Sequence, residues 1–68
     1  MPADPVRIEN CQGIAETDAA VLVECMDFDE GRLWVPKSQI DEDSDVYAKD
    51  TDGDLVVTAW FANKKGLG

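Results

Sequence analysis

Sixty-eight residues with a formal charge of -9 make one small domain whose field repels phosphate, so direct binding to nucleic acid or to an anionic membrane is disfavoured at once. At 44% hydrophobic residues the chain can still bury a core, which excludes an acidic disordered tail. That core supplies only a few kcal/mol of net stability, and repulsion among fifteen acids subtracts from it.

Residues 1–5, with Pro2 and Pro5, read as a flexible start. The opening MPADPVRIEN has neither the basic start nor the apolar stretch of a signal peptide. No apolar run nears the ~18 residues of a membrane span. The expected location is therefore the cytoplasm of the producing cell. Val6, Ile8 and Ile14 alternate weakly and predict a first strand interrupted near Gly13. Residues 16–18 are a turn. Residues 20–26 form the clearest strand, with Val21, Val23 and Cys25 on one face and Leu22, Glu24 and Met26 on the other. Residues 27–31 are a hairpin loop in which Gly31 is free to take a positive φ. Residues 32–35 return as a strand with Leu33 and Val35 facing opposite to Arg32 and Trp34.

Pro36 stops that strand, and residues 37–40 read as a tight helical turn with Ile40 tucked inward. Residues 41–45 are an acidic connector, residues 45–49 a short strand, residues 50–54 a turn, and residues 55–57 a last strand, apolar without alternation and so buried or short. Thr58 is a good N-cap for a helix over residues 58–65. Lys64 and Lys65 suit its last turn, Gly66 its αL end, and Leu67 the accompanying contact. One of Trp60 and Phe61 docks on the sheet and the other stays partly exposed. The fold class is thus α+β, a small antiparallel sheet or partly open barrel of four to five strands with one short C-terminal helix, as a single domain over residues 1–68.

The chain has no His, so a Ser or Cys nucleophile lacks its usual base, and the acids sit in exposed turns where acid–base work is poorly served. No catalytic residue, cofactor or metal is assigned. Cys11 and Cys25 are too few for a disulfide scaffold and, without His, for a structural zinc site; they read as reduced, apolar-like side chains, with pairing left open. Residues 41–45 open like an EF-hand loop, but Val46 stands where Gly is required and Asp52 where Glu is.

The remaining signal is the acids themselves. Residues 16–54 carry thirteen acids against three bases, a local charge of -10. In an up-and-down meander the loop 27–30 and the turn 50–54 share one end of the sheet. Glu16, Asp18 and residues 41–45 share the other. DNA carries one charge per about 1.7 Å of axis, so such carboxylates can imitate a stretch of its backbone. The candidate partner-binding residues are Asp27, Phe28, Asp29, Glu30, Asp41, Glu42, Asp43, Asp45, Asp50, Asp52 and Asp54, with Phe28 as the apolar group that sets specificity.

Leu33-Trp34-Val35-Pro36-Lys37-Ser38-Gln39-Ile40, followed by Trp60-Phe61-Ala62-Asn63-Lys64-Lys65-Gly66-Leu67, resembles a type of small β domain encoded by bacteriophages and mobile elements, across roughly residues 20–67. In that type a hairpin ends in a W-x-P-K-S-Q-I turn and the chain closes with a W-x-A-x-K-K-G-L helix. The resemblance implies a phage setting in a bacterial host and transfers no residue's role. By analogy of size and charge it points to anti-CRISPR and other anti-restriction inhibitors. The expected function is then a non-enzymatic DNA mimic, monomer or weak dimer, occupying a basic DNA- or RNA-binding surface of a defence complex. The alternative is an adaptor in phage DNA metabolism that docks through Trp34 and Trp60 or a sheet edge.

Overall fold

The computed structural model describes residues 4–26, 28 and 30–67. It holds four antiparallel strands, β1 (Val6–Glu16), β2 (Ala20–Cys25), β3 (Arg32–Pro36) and β4 (Asp52–Val57), and one helix, α1 (Ala59–Lys65). A single 3-10 turn, Lys37–Gln39, follows β3 where the helical turn was expected. The sheet is not closed, and this is the α+β class read from the sequence.

The alternation in β2 and β3 translates directly into packing. Val21, Val23, Cys25 and Val35 are buried on the inner face, while Glu24, Arg32 and Trp34 are exposed on the other. Ile8, Cys11, Phe28, Val46, Leu55, Val57, Phe61 and Ala62 complete the core, with Val6, Leu33, Ile40 and Leu67 packed against it. Thr58 Oγ1 accepts the Phe61 N–H at 3.2 Å and caps α1. Gly66, at φ 70°, ends the helix, and the Leu67 N–H bonds back to the Ala62 carbonyl at 2.8 Å. Phe61 is the aromatic that docks, and Trp60 is 61% exposed. Gly31, at φ 80°, closes the β2–β3 loop.

Three expectations are corrected. The first strand is not interrupted near Gly13: β1 runs eleven residues and absorbs the irregularity as register shifts at Ile8/Cys11 and Gly13/Ala15, with Asn10 at φ 60°. The sheet is not an up-and-down meander. Its order is β3-β2-β1-β4, so β4 crosses to the far side of β1. β1 is paired on both edges: Val6, Arg7 and Ile8 stand opposite Val57, Val56 and Leu55, and Cys11 and Gln12 face β2 on one edge and Gly53 and Asp52 of β4 on the other. Residues 45–49 are not a strand. The Tyr47 and Ala48 N–H groups go to Thr51 Oγ1 at 3.1 and 3.2 Å, and that hydroxyl donates to the Ala48 carbonyl at 2.6 Å. A threonine side chain thus takes the place of a neighbouring strand.

The acidic connector has a structural position. Ile40 bridges to Val57, the Asp41 N–H donates to the Val56 carbonyl at 2.8 Å, and the Asp45 N–H donates to the Asp54 carbonyl at 2.9 Å. Residues 40–45 therefore lie along the outer edge of β4 and cover a row of backbone groups that would otherwise be open. At the opposite margin, β3 is short and ends in Pro36.

Candidate functional site: an acidic margin along β4

Because residues 41–45 are bonded to β4, the structure collects six of the candidate carboxylates, those of Asp41, Glu42, Asp43, Asp45, Asp52 and Asp54, on one margin of the sheet. They do not all play the same part. Asp41 Oδ1 accepts the Asp43 N–H at 3.0 Å, and Asp45 Oδ2 accepts the Asp54 N–H at 3.2 Å, so both fix the local backbone. Asp54 Oδ2 lies 2.7 Å from Arg7 Nη1. Glu42, Asp43 and Asp52 are exposed, and their side chains are free for a partner.

Arg7 sits among these acids. Its guanidinium is held in its charged form above the ordinary range, first by the hydrogen bond to Asp54, then by the charges of Asp54, Asp45 and Asp43. Arg7 stands opposite Val56, one diagonal step from Asp54 on the same face. The sequence reading missed this counter-ion. Arg7 is an ordinary outward residue of a predicted strand, and its partner follows only from the β1–β4 register.

The other candidates are placed differently. Asp50, at φ 69°, donates its N–H to the Gly13 carbonyl at 2.9 Å, and the Lys49 N–H reaches Glu16 Oε1 at 3.2 Å. The turn before β4 therefore packs at the Glu16 end of β1, not beside the β2–β3 loop as the meander implied. Glu30 is exposed on that loop, with β1 and β2 between it and β4 in the sheet order. It borders a hollow of about 320 Å³ between the loop and the end of α1, floored by Phe28, Leu33 and Leu67. Phe28, expected at a partner interface, is 7% exposed and belongs to the core. Its N–H donates to the Cys25 carbonyl at 3.1 Å and its carbonyl accepts the Gly31 N–H at 3.0 Å, a tight turn that folds the ring inward. Asp27 and Asp29 lie outside the described residues, as do residues 1–3 of the expected flexible start.

Two exposed tryptophans line different surfaces. Trp34, 47% exposed, stands opposite Leu22, and Leu22 stands opposite Ala15, so the three form one row on the outer face of the sheet. The next row is Gln12, Glu24 and Arg32, with the Glu24–Arg32 pair at 3.3 Å. Trp60 lies on the first turn of α1 with Lys64 Nζ 4.8 Å from its ring centroid, beside Asp41, Asp4 and Pro5.

Among the described residues no group of three or more His, Cys, Asp or Glu side chains converges on a metal site, and no helix is long and apolar enough to cross a membrane. No family model, curated protein or solved structure matches the chain.

Proposed function

We propose that the domain is a non-enzymatic inhibitor that presents its β4 margin to a basic nucleic-acid-binding surface of a bacterial defence complex, in the manner of a DNA mimic. The observation that carries this reading is the gathering of six carboxylates along one sheet margin, with Arg7 as the cation bonded among them. Charges held at fixed spacing on a paired backbone present an ordered field, which speeds encounter with a positive groove. Asp52 and Asp54, two residues apart on one strand, are separated by about 6.6 Å. Glu42, Asp43 and Asp52 are the residues that meet the partner's Lys and Arg side chains.

The test is capture of the partner from a bacterial host lysate, followed by competition with duplex DNA. Binding falls steeply as salt rises, and excess DNA displaces the protein. Combined reversal of Glu42, Asp43 and Asp52 to Lys abolishes binding and leaves the fold intact, because none of these side chains holds the backbone. A partner that binds DNA and this protein together with unchanged affinities rejects the mimic reading.

A second reading, an adaptor that docks an apolar partner surface, is favoured by the Ala15–Leu22–Trp34 row on an outer sheet face. Under that reading Trp34→Ala loses the partner and the triple Lys variant keeps it.

A further inference from the structure

Cys11 and Cys25 are direct partners across β1 and β2. Both are buried thiols, 3% and 2% exposed, on the inner face of the sheet. Cys25 uses its own backbone groups on the side away from β1. Its N–H donates to the Gly31 carbonyl at 3.0 Å, and its carbonyl accepts the Phe28 N–H. Toward β1 the pair is therefore the narrow, non-hydrogen-bonded kind, in which Cα atoms stand about 4.5 Å apart and side chains approach most closely. Disulfides span Cα separations of about 4.4–6.8 Å. Both thiols also reach one carbonyl: Cys25 Sγ lies 3.5 Å from the Glu9 carbonyl oxygen, and Cys11 Sγ lies 3.7 Å from the same atom and 3.5 Å from the Ile8 carbonyl oxygen.

We propose that Cys11 and Cys25 form an oxidation site that closes to a cross-strand disulfide on exchange with a small-molecule disulfide. One thiolate attacks a sulfur of the oxidant RSSR, the oxidant's S–S bond breaks, and one RSH leaves. The second thiolate then attacks the mixed disulfide and expels the other RSH. The protein loses two electrons and two protons, and RSSR is reduced to two thiols. A reducing compartment keeps the site open, and an oxidising one closes it. Burial makes the first step slow, since the reagent enters through local opening. The irregular stretch beside the pair provides it, because Asn10 stands at φ 60° and the β1 register shifts between Ile8 and Cys11. Cys11 is also opposite Gly53, so the bridge ties β2 to the strand that carries β4 and its acidic margin.

The experiment holds the native protein with excess oxidised glutathione. The expected product is lighter by two hydrogens, contains no glutathione, and yields a peptide joining Cys11 to Cys25 on digestion. It melts higher than the reduced protein by roughly 5–15 °C, because the bridge restricts a loop of the unfolded chain. In Cys25→Ala no product lighter by two hydrogens forms and the rise in melting temperature is absent, since a lone Cys11 can at most retain a glutathione. Unreacted thiols, glutathione retained on either cysteine, covalent dimers, or a bridged form that melts no higher than the reduced one overturn the proposal.

Discussion

Ser44 Oγ lies 3.0 Å from the Val56 amide nitrogen and 2.7 Å from the Val46 carbonyl oxygen, so one buried hydroxyl joins the acidic segment to β4. It accepts from the first and donates to the second. Ser44→Ala leaves a buried N–H and a buried carbonyl without a partner, at about 1–3 kcal/mol for each group. The expected loss is about 2–6 kcal/mol in urea unfolding, a large share of what so short a chain holds. A change below about 0.5 kcal/mol, the size of an ordinary surface substitution, sinks this account of the β4 edge.

Gly13 is required for a different reason. A Cβ there would collide with the Ala48 carbonyl oxygen, which belongs to backbone and cannot rotate away. Gly13 also bonds the 50–51 turn twice, donating to the Thr51 carbonyl at 2.7 Å and accepting from the Asp50 N–H at 2.9 Å. Gly13→Ala pushes that turn off the sheet and is expected to cost about 3 kcal/mol, the upper range for overpacking. Gly31→Ala meets no atom within 4 Å and carries only the strain of its positive φ, so it costs less. Thermal melts of the two variants side by side check the order.

Glu16 gives a pH signature. Its carboxylate accepts from Lys37 Nζ at 2.7 Å and from the Lys49 N–H, and these bonds, the Lys37 one first, hold it below its ordinary value of 4.5. A depressed folded value means that the contribution is fully present above the unfolded value. It is lost as the pH falls through the folded one. The stability difference between the wild type and Glu16→Gln is therefore constant near neutrality and shrinks as the pH drops below about 4.5. A difference that grows on acidification contradicts the Lys37 contact.

Salt acts on the whole surface. The chain carries a charge of -9, and the described residues hold three ion pairs, all at least partly exposed. Screening weakens those pairs slightly and relieves the repulsion among residues 41–54 more, because many like charges crowd there. The melting temperature rises from low to moderate NaCl. The triple Lys variant at Glu42, Asp43 and Asp52 shows a smaller rise. A wild-type melt that falls steadily with added salt rejects mutual repulsion as the dominant charge effect.

What the sequence by itself determined is local. Alternation told which side of β2 and β3 is buried, because successive side chains on a strand point to opposite faces. Thr58, Gly66 and Leu67 marked the ends of α1 through capping chemistry confined to a few neighbours. Pro36 marked the end of β3. The tertiary structure alone decided which distant segments meet. Nothing in residues 6–8 names residues 55–57 as their partners, and β4 takes the edge of β1 that β2 leaves open. That crossover gathers residues 41–45 with residues 52–54 and sets Arg7 against Asp54, where a meander would have split the acids between two ends. Phe28 was misplaced for the same reason: an aromatic ring on an acidic loop reads as exposed until the turn between Cys25 and Gly31 folds it into the core. Pairing register is a long-range choice made by burial and edge satisfaction, and the residue pattern of one strand does not carry it.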